Sequence, residues 1–129
     1  MRFTLPIEVT DTDIDELGHV GNQVYLRWVL DVATAHSDSL GYTLEAYRTI
    51  GGIFIVRRHE LDYLAQVKVG DELRAETWVP TWKLASCVRH TEILRGETVV
   101  LRAQTTWAFM SLASGRPIKI SDEIRGLFA

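Results

Sequence analysis

Ten consecutive residues, Asp13-Ile14-Asp15-Glu16-Leu17-Gly18-His19-Val20-Gly21-Asn22, crowd carboxylates, an imidazole, an amide and two glycines ahead of a long apolar run. A carboxylate fixed at such a place can serve as a nucleophile or as a general base toward water. A helix starting near Asn22 presents unpaired backbone N–H groups and a partial positive charge, which can polarise a carbonyl or stabilise an oxyanion. Gly18 and Gly21 let the backbone approach a ligand closely. The same residues have a plainer reading, with Asp13 and Asp15 in Asx turns near the helix dipole and His19 on a surface loop. Composition alone favours the plainer reading, because Asp, Gly and Asn are ordinary loop residues.

Other chemistries find less support. His19, His36, His59 and His90 show no metal-ligand spacing, so no metal site is expected. His36 falls on the apolar side of the helix and reads as a satisfied core histidine. Cys87 is the single cysteine and reads as a small core or strand residue, which excludes an intrachain disulfide. No Gly-x-Ser-x-Gly elbow exists, removing that route to ester cleavage. With 14 Lys and Arg against 17 Asp and Glu, the net charge of −3 argues against a nucleic-acid partner. No signal peptide or membrane span is expected from the N-terminal residues, and the chain is read as soluble and cytoplasmic. At 129 residues and 47% apolar, it has the size and composition of one globular domain, taken as 1–129.

The elements that must position the loop follow from periodicity. Residues 3–9 alternate as a strand, with Phe3, Leu5, Ile7 and Val9 on one face. Asn22 is the expected N-cap of a helix over 23–40, about 27 Å long. That helix is apolar nearly all round, with Arg27, Asp31, Thr34 and Asp38 as a narrow polar stripe, so it should be enclosed by other elements. Gly41 ends it, and 44–50 forms a short second helix. Strands follow at 53–63, 72–83 and 86–95, then a long one after the Gly96-Glu97 turn. Ser121 caps a closing helix to Phe128. The second of these strands carries Leu73, Ala75, Thr77 and Val79 on one face. The third alternates less cleanly, with Cys87 and Ile93 opposite Val88 and Leu94. Consecutive hairpins with one long helix make an α+β fold, a curved antiparallel sheet of about five strands around a buried helix.

Asp13–Asn22 followed by Tyr25-Leu26-Arg27-Trp28 resembles the D-x-D-x-x-G-H-V-x-N…Y-x-x-W/Y pattern of hotdog-fold thioesterases of the 4-hydroxybenzoyl-CoA thioesterase type. Glu60-Leu61-Asp62-Tyr63-Leu64-Ala65 with Gly70-Asp71-Glu72-Leu73, and Thr106-Trp107-Ala108-Phe109 through Gly115-Arg116-Pro117, resemble later stretches of the same family in the same order. The first block is the most specific. The resemblance implies a hotdog fold and hydrolysis of an acyl-CoA thioester without metal or cofactor. The family's catalytic carboxylate falls on Asp15, which attacks the carbonyl or activates a water. Asp13 is the rival, and by family register it supports the loop instead. Gly18 gives the tight turn, the Asn22 amide polarises the carbonyl, and His19 either contacts substrate or holds the loop. The related plant-type acyl-carrier-protein thioesterases carry an Asn two residues before this His. Here that position is Leu17, so a relay through His19 is incomplete, and Gly21 replaces the commoner Asn of the family's run.

Substrate contacts are assigned to Tyr25, Arg57, Arg58 and Asp62, although Glu60 and Asp62 also read as a solvated charged face. Arg57, Arg58, Lys68, Arg89 and Arg116 are the candidate basic groups for CoA phosphates. Of Trp78, Trp82 and Trp107, most are expected in the core or an interface and one in the acyl pocket. The alternatives are an acyl-carrier-protein thioesterase, a hydratase on the same fold, whose Asp/His motif is not found, and a non-catalytic acyl-binding module. The resemblance also implies a homodimer through paired sheets, or a dimer of dimers, with the site shared between chains and an inactive monomer.

Overall fold

Five extended segments, most of them alternating apolar and polar residues, and a nearly all-apolar helix dictate how the chain closes. In the computed structural model, which describes all 129 residues, the strands are β1 (Phe3–Glu8), β2 (Gly52–Tyr63), β3 (Glu72–Trp82), β4 (Ser86–Arg95) and β5 (Thr98–Ser111). The helices are α1 (Asn22–Ser39), α2 (Leu44–Ile50) and α3 (Asp122–Phe128), with a single 3-10 turn at Asp11–Asp13. The strands form one antiparallel sheet in the order β1-β3-β4-β5-β2. This is the α+β hotdog architecture expected from the sequence. No helix is long and apolar enough to cross a membrane.

Helix α1 buries Val24, Tyr25, Trp28, Val29, Val32, Ala33 and His36, while Arg27, Asp31, Thr34 and Asp38 form the expected exposed stripe. Its cap differs from expectation. Gly21, not Asn22, is the N-cap, extended at φ −65° and ψ 147°, and its carbonyl accepts the Val24 N–H at 2.9 Å. A capping residue is the one whose carbonyl starts the helical ladder while its own backbone stays extended. Asn22 therefore sits one position inside, in the first turn.

The sheet's inner face meets α1 in one apolar cluster built around Trp28, Val29, Val32, Ile93, Val100 and Leu101. A second cluster, with Tyr47, Phe109, Ile120, Ile124 and Phe128, lies beneath α2 and α3. Buried polar groups complete the interior: His36, Thr77, Arg89, Thr91 and Thr105. The weak alternation of β4 has its explanation there. Its inward face is Cys87, Arg89, Thr91 and Ile93, so two polar side chains occupy core positions and mask the period. Arg89 is only 6% exposed, which removes it from the candidate phosphate contacts at the surface.

Arg89 Nη1 donates to Thr77 Oγ1 at 3.1 Å and reaches His36 Nδ1 at 2.9 Å. A guanidinium can only donate, so Nδ1 accepts and the imidazole proton sits on Nε2. His36 is thus satisfied at one nitrogen only, since buried Nε2 has no partner. Burial and then the Arg89 charge push the His36 pKa down from 6.5 to about 4. Between those two values the unfolded chain binds a proton that the folded chain refuses. Stability from this site is complete above pH 6.5 and falls as the pH drops toward 4, by up to about 3 kcal/mol. Urea melts across that window should show the loss in the native sequence and a flatter profile in His36→Gln. Equal pH slopes in the two would contradict this.

Candidate active site

The loop between β1 and α1 is built by two aspartates with different tasks. Asp13 is 4% exposed. Its Oδ2 accepts the Thr10 N–H at 3.0 Å and its Oδ1 accepts Arg27 Nη2 at 2.8 Å. Burial alone would raise its pKa, but the Thr10 amide and the Arg27 guanidinium outweigh that and hold it below 3.8. Asp13 therefore ties the loop base to the exposed stripe of α1. Its contribution is present above the ordinary carboxylate pKa and is lost as the pH falls below it. Asp13→Asn should lower unfolding stability by about 1.5–3 kcal/mol and flatten the acid limb of the pH–stability curve below pH 4, measured by denaturant titration.

Asp15 is exposed and bonded only within its own loop. Its Oδ1 accepts two backbone N–H groups, Leu17 at 2.9 Å and His19 at 3.1 Å, while Oδ2 has no protein partner. The backbone closes the same turn, with Asp15 N–H on the His19 carbonyl at 2.7 Å and Gly18 N–H on the Asp15 carbonyl at 3.1 Å. Gly18 takes φ +78°, the left-handed region that a Cβ disfavours. One carboxylate oxygen is thus clamped and the other is left available.

That loop forms one wall of a cavity of about 430 Å³. Asp15, His19, Asn22 and Tyr25 line it from one side and Tyr63, Leu64, Ala65, Gln66 and Val67 from the other. The first-turn amides of α1 have no partner within the helix and carry its positive end. His19 Nε2 lies 3.4 Å from the Gln66 amide nitrogen, joining the two walls. Tyr25, 6% exposed, packs edge-on against Trp28 and Tyr63. Burial pushes its hydroxyl pKa up, with the Val67 backbone pulling the other way.

Four of the sequence-derived residues, Asp15, His19, Asn22 and Tyr25, therefore meet at one cavity, with Gly18 shaping the loop. Arg57, Arg58 and Asp62 do not line it. All three are exposed on β2, where Arg58 pairs with Glu60 and Arg57 Nη2 lies 3.7 Å from Met110 Sδ. Asp62 borders a separate polar depression with Glu92 and Arg102. The wall Tyr63–Val67 has no counterpart among the site residues expected from the sequence. The signals for it are the family-like block Glu60–Ala65, which contains its first three residues, and the apolar run that leaves a charged strand before the Gly70 turn. No group of three or more His, Cys, Asp or Glu side chains is placed to hold a metal ion.

Known proteins resemble this chain over nearly its whole length. The chain is 24% identical over 127 residues to the acyl-CoA thioesterase YbgC of Haemophilus influenzae, covering 98% of this chain and 93% of that one. It superposes on Slr0204, a 1,4-dihydroxy-2-naphthoyl-CoA thioesterase from Synechocystis, with a TM-score of 0.89 at 18% identity, covering 99% and 96% of the two chains. SAV2348 from Staphylococcus aureus, solved in complex with CoA, superposes at 0.92 with 15% identity, covering 98% of this chain and 81% of that one. These superpositions establish the fold. A model of the thioesterase-like superfamily matches residues 9–128. With nearly its whole length matched, and the clamped carboxylate and helix start inside the match, the chain belongs to the thioesterase-like superfamily.

Proposed function

We propose that this protein hydrolyses an acyl-CoA thioester to the free acid and CoA, with Asp15 as the reacting carboxylate. The observation that carries this reading is the free Oδ2 of Asp15, in a cavity that also holds the start of α1. A thioester carbonyl on the Asn22 amide would have its oxygen polarised while its carbon faces the carboxylate. Asp15 then attacks that carbon directly, or takes a proton from a water that does. Either way the C–S bond breaks, the thiolate leaves as CoA, and a water supplies the acid's second oxygen. Gly18 sets the turn, His19 braces the loop against Gln66, and Tyr25 closes the floor. Neither route needs a metal or a cofactor.

The 129 residues act as one domain, and the working unit is a dimer. The sheet has two edges, β1 and β2. The β1 edge is 6 residues long and interrupted by Pro6, a protected edge. The β2 edge is 12 residues long with no proline, and pairs only with β5. Two copies joined through β2 would bring Arg57, Arg58 and Asp62 of one chain toward the Asp15 loop of the other, where the arginines suit CoA phosphates. The test is thiol release on a panel of acyl-CoA and acyl-carrier-protein thioesters. Turnover of at least one acyl-CoA is expected, and no turnover of any thioester at ample enzyme would leave an acyl-binding module instead.

A further inference from the structure

A second cavity, of about 170 Å³, lies between the C-terminal half of α1, the helices α2 and α3, and the sheet, and shares no lining residue with the Asp15 cavity. Its walls include the rings of Tyr42, Tyr47, Phe54, Trp82, Trp107 and Phe128. Among these rings stands the guanidinium of Arg89, buried and in no ion pair. Only its Nη1 is engaged, by Thr77 and His36, so its remaining N–H groups have no protein acceptor. The one carboxylate on the wall, Asp38, is exposed and makes no bond to it. Trp107 supplies a second free donor, a buried Nε1–H with no partner. Register places the two donors together. Cys87 stands opposite Trp107 and Arg89 opposite Thr105, so Arg89 and Trp107 are diagonal neighbours on the inner face of adjacent strands.

A buried cation without a counter-charge and a buried indole N–H without an acceptor each cost free energy that a single anion could recover. We propose that this cavity is a second ligand site, which takes a small monocarboxylic acid with one flat apolar ring. The carboxylate meets Arg89 and the Trp107 N–H, and the ring lies among the aromatic walls. Size fits, since a protein cavity of about 150 Å³ holds benzene. Charge selects a carboxylate over a phosphate, because one guanidinium balances one negative charge and a dianion would leave the other buried unpaired. His36 acts as a positioning residue, its neutral Nδ1 holding Arg89.

The probe is benzoate, with benzamide as its uncharged match, read from the indole N–H signal of Trp107 in ¹⁵N-labelled full-length protein. That signal is assigned by its disappearance in Trp107→Phe. Benzoate should move it downfield and saturate, with benzamide binding weaker by about tenfold or more, the usual worth of a charge-assisted bond. Arg89→Gln should abolish the response. If that variant fails to fold, the comparison of the two ligands on the native sequence still decides. The proposal is overturned if the signal stays still up to about 20 mM benzoate, a weak limit for a ligand of this size. It is equally overturned if benzamide moves the signal as strongly. The measurement uses no thioester, so its outcome is independent of whether Asp15 hydrolyses one.

Discussion

Asp15→Asn should reduce hydrolysis of the best acyl-CoA by at least about a hundredfold, the scale expected when a positioned acid–base or nucleophilic group is removed. The melting temperature should stay unchanged. The separation of effects follows from the loop's hydrogen bonds. Asn retains a side-chain carbonyl oxygen that can still accept from the Leu17 and His19 amides, so the turn keeps its clamp. What is lost is the negative charge and the free second oxygen, the parts that attack a carbonyl or deprotonate water. Asp13→Asn should behave in the opposite way, because both oxygens of Asp13 are spent on Thr10 and Arg27 inside the fold. Steady-state thiol release and thermal melts on the two variants make the comparison. Loss of turnover in Asp13→Asn with full activity in Asp15→Asn would exchange the roles of the two aspartates.

The sequence made the loop legible because its chemistry is local. Asp15, Gly18, His19 and Asn22 lie within eight residues, and the turn that joins them is closed by their own backbone groups. The hairpins were legible for the same reason, since alternation and turn glycines act over a few residues. What could not be read are pairings across the fold. Asp13 finds Arg27 one helix turn into α1, and His36 finds Arg89 from 53 residues away. A strand arginine reads as a solvated charge until the register of β3, β4 and β5 turns it inward. The first three residues of the Tyr63–Val67 wall sit in the family-like block Glu60–Ala65, but only the course of the chain leaving β2 sets them across the cavity from the Asp15 loop. The one-residue error at the helix start has a related origin. Side-chain chemistry favours Asn as a cap, but Gly21 satisfies the backbone requirement without any side chain.

Activity should also depend on the exposed edge of β2. Ile55 is 46% exposed on that strand, close in sequence to Arg57 and Arg58. An apolar residue on an open edge without proline is a template for pairing unless another chain covers it. The native protein should therefore sediment at two or four times its 14.6 kDa chain mass. Ile55→Lys places a further cation beside two arginines in both copies, so like charges meet across the joint and water must be stripped from them. The variant should shift to monomer with its helical and strand content intact, because Ile55 belongs to neither apolar cluster of the core. Specific activity should fall by about tenfold or more, the loss expected when half of a binding site is removed. It should recover partly as protein concentration rises, a response that damage within one chain would not give. A monomeric variant with full activity at every concentration would place the whole site within one chain, and Arg57, Arg58 and Asp62 would then have no part in substrate binding.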